Sequence, residues 1–213
     1  MGRILIADDH ETLRRKVADI PEAQSVLTDI IKEAKMANAI VQEVLDFVRP
    51  IRLQVEPTLL GDAVQAAVQH ADAKGRRGNI VVETRVPQTL PHLRADKHQL
   101  TQVLTNLMVN AYEALDGKGH VTVTASETRL QDGAGGRDAI LVEVADDGPG
   151  IPADVREKVF EVFFTTKAKG SGLGLAIVKR IVDAHDGRLD LQTSSEGTRV
   201  RVTLPLAGTE DPQ

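Results

Sequence analysis

The chain has 213 residues, 41% apolar and 27% charged, ordinary for a globular protein with one sizeable domain and a smaller element. A net charge of −5 with scattered basic residues, and aromatics at only 2%, exclude a polyanion-binding face and a base-stacking nucleic-acid platform. The absence of cysteine excludes disulfides and thiolate metal sites, and no apolar run reaches the roughly 20 residues of a membrane helix; a cytoplasmic protein without a membrane segment is expected.

The N-terminal fifth differs from the rest. Residues 11–20 form a short helical segment broken by Pro21, and residues 22–48 contain neither Gly nor Pro. Leu27, Ile30, Ala34, Ala37, Val41, Val44 and Val48 alternate in steps of three and four, the seam of a coiled coil. Ile31, Ile40, Leu45 and Phe47 widen the stripe, which suits a helical bundle; the same stripe would also serve one helix packed on its own domain. Together the two segments predict a helical hairpin.

After Arg49-Pro50, the spacing predicts a helix over 57–69, a polar turn over 74–78 and a strand over 79–86. Asp96 is an N-cap for a helix over 97–115. Strands are expected over 120–127 and 138–145, joined by a Gly-rich loop over 131–137, then a short helix over 153–159. A helix over 172–184 and a hairpin of strands 188–193 and 198–204 complete the pattern, with a frayed tail at 208–213. Irregular alternation with antiparallel neighbours predicts an α+β fold, a two-layer sandwich of helices on a mixed sheet with an aliphatic core, preceded by the helical hairpin.

Two glycine-rich turns suit the floor and wall of a nucleotide site. Asp146-Asp147-Gly148-Pro149-Gly150-Ile151 follows a strand, and its first acid can accept an exocyclic amine but would repel a carbonyl oxygen. Gly148 and Gly150 let backbone approach a base, although a plain turn reads the same way. Gly170-Ser171-Gly172-Leu173-Gly174-Leu175 runs into a helix whose first amides can face phosphate oxygens. Asn106 and Asn110, four apart, share one helix face, and Asn110 offers a neutral oxygen to Mg²⁺ with Asn106 able to share the task. Phe160, Phe163 and Phe164 are expected to anchor a mobile segment to the core, with Thr165, Thr166 and Lys167 leading into a flexible lid over phosphates.

The four segments Asn106-Leu-Met-Val-Asn110-Ala111, Asp146-Asp-Gly-Pro-Gly150, Phe160-Glu-Val-Phe-Phe-Thr-Thr-Lys167 and Gly170-Ser-Gly-Leu-Gly-Leu175 resemble, in order and spacing, the N, G1, F and G2 boxes of sensor histidine kinases. The resemblance covers roughly residues 53–206. It implies the Bergerat-type ATP-binding sandwich shared with gyrase and mismatch-repair ATPases, with residues 51–207 as the catalytic domain and 1–50 as a dimerising, phosphoacceptor-like region. It further implies ATP and Mg²⁺ as cofactors, Asn110 on the metal, Asp146 on adenine and residues 170–175 at the phosphates. Hydrolytic relatives carry glutamate where this chain has Asn106; an amide cannot take a proton from water, so phosphoryl transfer is expected instead.

In the resembled family the nucleophile is a histidine followed by an acid, and His10-Glu11 matches that pair. The chain departs from the family where a polar residue and proline usually follow, since Thr12-Leu13-Arg14-Arg15 stands there. Arg3-Ile-Leu-Ile-Ala-Asp8-Asp9 also looks like the first strand and acidic Mg²⁺ pair of a response-regulator receiver domain, without room before Glu22 for a phosphate-accepting aspartate. Three functions follow: a homodimeric histidine kinase that passes phosphate to a response-regulator receiver, a catalytic domain phosphorylating a partner in trans, or a nucleotide-dependent scaffold.

Overall fold

A computed structural model describes residues 21–74, 78–131, 136–167 and 170–206. The chain divides into two compact units, Met1–Arg49 and Pro50–Gln213. In the first, helix α1 (Pro21–Val48) begins on a proline, whose fixed φ and missing N–H suit a first helical position. Its last bond runs from Arg49 N–H to the Leu45 carbonyl (3.1 Å), and Pro50 stops it by disfavouring helical geometry in the residue before it. Val26, Ile30, Val41, Leu45 and Val48 project as exposed apolar side chains. Residues 11–20, the other half of the expected hairpin, lie outside the described residues. Among the described residues, no helix is long and apolar enough to cross a membrane.

The second unit is the expected α+β sandwich. Strands β1 (Glu56–Thr58) and β3 (Leu93–Ala95) pair antiparallel as a small sheet, and helix α2 (Leu60–Lys74) follows β1. The main sheet has the order β2-β4-β5-β7-β6, built from β2 (Asn79–Arg85), β4 (Lys118–Leu130), β5 (Arg137–Asp146), β6 (Arg188–Ser194) and β7 (Gly197–Pro205). Strands β2 and β4 run parallel; the remaining neighbours are antiparallel. Period-two alternation buries Val121 and Val123, Ile140, Val142 and Val144, and Val200, Val202 and Leu204 on one face. Helix α3 (Lys97–Leu115) packs on β4 and β5 with α2 and α4 (Gly174–Ala184) beside it. The opposite face carries Thr122, Thr124, Glu143 and Arg201, the last two joined by a 2.7 Å ion pair across β5 and β7.

The core is aliphatic, as composition predicts. Tyr112, 2% exposed, contributes a ring whose hydroxyl donates to Asp72 on α2 (2.9 Å), so the polar tip of a buried aromatic is satisfied. Helix α3 starts where its cap predicts: Asp96 Oδ1 accepts from Gln99 N–H (3.0 Å). Asp96 Oδ2 also accepts from Gln54 N–H (2.9 Å), and its own N–H donates to His185 Nε2 (3.1 Å) at the end of α4. That bond leaves Nδ1 as the proton-bearing nitrogen, facing the Ile181 carbonyl at 2.8 Å.

Three helices differ from the sequence reading, which also contains neither β1 nor β3. The helix expected over 57–69 begins at Leu60 and runs to Lys74, because Pro57 and Thr58 belong to β1. Thr58 Oγ1 donates to the Ala95 carbonyl (3.1 Å) and ties that strand to β3. The helix expected over 153–159 is a chain of turns, with bonds from Val155 to Pro152, Lys158 to Val155 and Glu161 to Lys158, each three residues apart. No side chain over 152–159 is buried, and only Val155 and Val159 are half-buried, so little apolar surface is covered there to stabilise a helix. The helix expected from 172 begins at Gly174, since Gly172 has a left-handed φ of 70°. Residues 75–77, 132–135 and 207–213, parts of the expected turn, loop and tail, lie outside the described residues.

Asp96 satisfies backbone donors from two separate segments while itself buried. Asp96→Ala should therefore lower unfolding stability by about 2 kcal/mol, one helix cap plus a second charged hydrogen bond. A denaturant titration checks this; a loss under about 0.5 kcal/mol, the low end for a cap alone, would contradict the double role.

Candidate functional site

Helix α3 supplies one wall. Asn106, Asn110 and Glu113 stand at i, i+4 and i+7, so their side chains share a face. Asn106 Nδ2 donates to the Gly174 carbonyl (3.3 Å), which fastens α3 to the first residue of α4. Asn110 Oδ1 accepts from Lys167 Nζ (3.3 Å), and the same ammonium contacts Glu113 Oε2 in an ion pair. Sequence reading named Asn110 and Lys167 without joining them and missed Glu113, which helical arithmetic places on their face.

The turn after β5 forms the floor. Asp146 ends the strand half-buried, and its Oδ1 accepts from Gly148 N–H (3.0 Å). A Cβ on Gly148 would lie 2.8 Å from that oxygen, so the glycine is needed for the carboxylate's own hydrogen bond. Gly150, with φ 74°, would direct a Cβ to 1.8 Å from the Ser194 carbonyl. The close approaches seen for both glycines are to the protein's own chain. Opposite, Gly197 would place a Cβ 2.0 Å from the Asp146 carbonyl, so the tip of the β6–β7 hairpin and the Asp146 turn meet through bare backbone.

Thr193 and Thr198 complete this junction. Thr193 Oγ1 accepts from Ile151 N–H (2.7 Å) and meets Thr198 Oγ1 at 3.2 Å, while the Thr193 carbonyl accepts from Arg156 (3.1 Å). Thr198 is buried opposite Asp146 in the β5–β7 register. None of these three was singled out in the sequence, because the hairpin is distant from the Asp146 turn along the chain. Asp147 is held from the other side, by His120 N–H (2.7 Å) and His120 Nδ1 (2.8 Å).

The segment over the site departs from expectation. Phe160 and Phe164 are half-buried and Phe163 is 61% exposed, so the three rings do not form a core anchor. The segment is fixed by backbone instead. Phe163 adopts φ 66°, its N–H donates to the Gly172 carbonyl (3.1 Å), and a Cβ on Gly172 would fall 2.4 Å from Phe163 C. The glycine run then enters α4 through Leu173, fully buried, whose N–H donates to Ser171 Oγ (3.3 Å). No N-cap side chain bonds the first amides of α4. A Cβ on Gly170 would lie 2.6 Å from Thr165 Oγ1, Leu175 is half-buried in the first turn, and His10 and Glu11 lie outside the described residues.

Burial pushes the Asp146 carboxyl above the usual carboxylate range, with the neighbouring Asp147 charge adding to it, against hydrogen bonds from Gly148 and Thr198. Asp147 moves the other way, lowered chiefly by its hydrogen bonds from His120. Asp146 therefore contributes stability that is complete below the ordinary carboxylate range and lost as pH rises through its raised value. Asp147 contributes stability present above that range and lost as pH falls through its lowered value. At neutral pH, Asp146→Asn keeps an oxygen for Gly148 and removes a desolvated charge. Its melting temperature without nucleotide should equal or exceed wild type; a clear fall would show that the charge supports the fold.

Residues 95–208 match the family described as histidine kinase-, DNA gyrase B-, and HSP90-like ATPase. Sensor histidine kinase ZraS of Escherichia coli O157:H7 is 37% identical over 194 residues, covering 90% of this chain and 41% of ZraS. Sensory histidine kinase/phosphatase NtrB of Rhodobacter capsulatus is 36% identical over 192 residues, 86% of this chain and 53% of NtrB. The chain thus spans about two fifths to one half of these relatives. The crystal structure of full-length ShkA in complex with AMPPNP superposes with a TM-score of 0.69 at 29% identity, over 90% of this chain and 40% of ShkA.

Proposed function

The chain belongs to the family of histidine kinase-, DNA gyrase B- and HSP90-like ATPases, and on that premise we propose that it is the catalytic and dimerising portion of a protein histidine kinase. Residues 51–207 form the ATP-binding catalytic domain, 1–50 the dimerising and phosphoacceptor region, and 208–213 a tail. The observation that carries this reading is that one face of α3 is tied to both the glycine run and the lid segment, through Asn106–Gly174 and Asn110–Lys167. A metal-facing carboxamide and an uncapped helix start thereby border one site, and the Asp146 turn meets α3 as well, since a Cβ on Gly148 would lie 3.5 Å from the Ala114 side chain.

Asp146 binds the adenine amine. Its desolvated carboxylate is stabilised by a ligand that brings a donor, and a carbonyl oxygen in the same place would be repelled. The first amides of α4 and Lys167 receive the phosphates. Mg²⁺ fits the donor set because Asn110 Oδ1 already faces a cation, the Lys167 ammonium, and a neutral amide oxygen suits a hard metal. Bound metal would offset charge on the β- and γ-phosphates.

Asn106 has no basic oxygen with which to activate water, so the γ-phosphoryl group is kept for another nucleophile. The imidazole of His10 attacks it: a P–N bond forms, the bond to ADP breaks, and Glu11 takes the imidazole proton. The phosphoryl group then passes to an aspartate on a response-regulator receiver. Relatives named as sensor histidine kinases support this reading.

Incubation with γ-labelled ATP should yield acid-labile, base-stable label on the chain. His10→Gln should abolish it and Asp146→Asn should reduce it at least about tenfold, the value of one hydrogen bond to a charge. Undiminished label in His10→Gln would overturn the nucleophile, and nucleotide binding without any transfer would overturn the kinase reading. The exposed stripe of α1 supports a homodimer. Leu45→Lys should shift the species measured by light scattering from dimer to monomer; a wild-type monomer at high micromolar concentration would sink that assignment.

A further inference from the structure

Asn110 Oδ1 and Glu113 Oε2 converge on one point, and that point holds a cation. Lys167 Nζ donates to both, although it arrives from a segment more than fifty residues away. Asn110 and Glu113 are three apart on α3, so a rigid helix fixes the separation of the two oxygens, whereas Lys167 is carried by irregular backbone. Asn106, the other amide of this face, directs its nitrogen to the Gly174 carbonyl.

We propose that Glu113 is the second protein ligand of the divalent cation that accompanies the nucleotide, and that Lys167 holds this place when the cation is absent. The inference rests on the Mg·ATP reading of the site. The donor chemistry favours it. One carboxylate and one amide oxygen, with remaining positions left to water and phosphate, is the mixed set that Mg²⁺ accepts without a dedicated protein cage. Among the described residues no group of three or more His, Cys, Asp or Glu is placed to hold a metal ion, so a cation at Asn110 and Glu113 would draw its remaining ligands from water and phosphate. Electrostatics points the same way. A carboxylate beside Asn110 would face the polyphosphate with like charge unless a cation stood between them. Lys167 supplies that charge without nucleotide; once displaced, its ammonium is free to meet phosphate oxygens.

The test uses Mn²⁺ as the metal and the β,γ-imido analogue of ATP, with free Mn²⁺ read by electron paramagnetic resonance. Glu113→Gln should weaken Mn²⁺ retention in the ternary complex about tenfold, as loss of a metal-site contact does, without weakening metal-free nucleotide binding, since the variant removes a like charge from beside the polyphosphate. The same loss should persist in a Lys167→Gln background, and Lys167→Gln alone should tighten retention. If Glu113 serves only to anchor Lys167, the effect of Glu113→Gln will vanish in that background, or retention will improve, and the proposal is overturned. Glu113 is half exposed, and circular dichroism verifies that the variant folds. Failure of the wild type to bind the analogue with or without metal overturns the nucleotide reading itself; normal binding with unchanged Mn²⁺ retention overturns this inference alone.

Discussion

Two stretches of backbone meet without side chains between them, and the rest of the site depends on that contact. Gly197 faces the Asp146 carbonyl and Gly150 faces the Ser194 carbonyl, each at a distance that any Cβ would close. The hairpin tip thereby becomes the support of the Asp146 turn. Thr193 secures the arrangement by accepting from Ile151 and presenting its carbonyl to Arg156. The consequence is a carboxylate held half-buried at a strand end, with its charge disfavoured by desolvation. Such a group is poorly matched to an empty site and well matched to a ligand that brings a donor.

Helix α3 transmits that rigidity across the site. Its start is capped by Asp96, which also engages Gln54 and the His185 ring at the end of α4; its middle reaches the start of α4 through Asn106. Two helices pinned near both ends of their contact leave little freedom for the face that carries Asn110 and Glu113. The segment bearing Lys167 is held otherwise, by turns, one left-handed phenylalanine and a few hydrogen bonds. Sparse burial and irregular backbone are the features of segments that open at small free-energy cost. Acceptors fixed on a helix and facing an adjustable ammonium suit the exchange of cations proposed for this site.

What could be read from sequence divides along the same line. Local signals were strong where one element decides the outcome: Asp96 as cap, the glycine-free run of α1, and the alternation of β4, β5 and β7. Failures fell where partners distant in sequence decide. Thr58 joins β1 because Ala95 offers a carbonyl, and nothing near Thr58 announces it. The turns after Pro152 read as a helix because local propensity does not reveal how little apolar surface they cover. In the site, glycines and asparagines stood out by spacing, whereas Thr193, Gly197 and Thr198 matter only through the fold. Glu113 was legible in principle, one helical step from Asn110, but a charged residue on a helix ordinarily reads as a solvated surface.

The identity of residue 106 links architecture to chemistry. Its Nδ2 donates to the Gly174 carbonyl, a contact that needs a donor and has no use for an acceptor. Glutamate at this position would turn a carboxylate toward that carbonyl, and the attraction between α3 and the glycine run would become repulsion. A base able to activate water and the amide tie between α3 and α4 are therefore mutually exclusive at one position. On the proposed reading, the bond that fixes the start of α4 beneath the phosphates is also what denies water a proton acceptor there. Retention of the γ-phosphoryl group for histidine then follows from the way the site is held together.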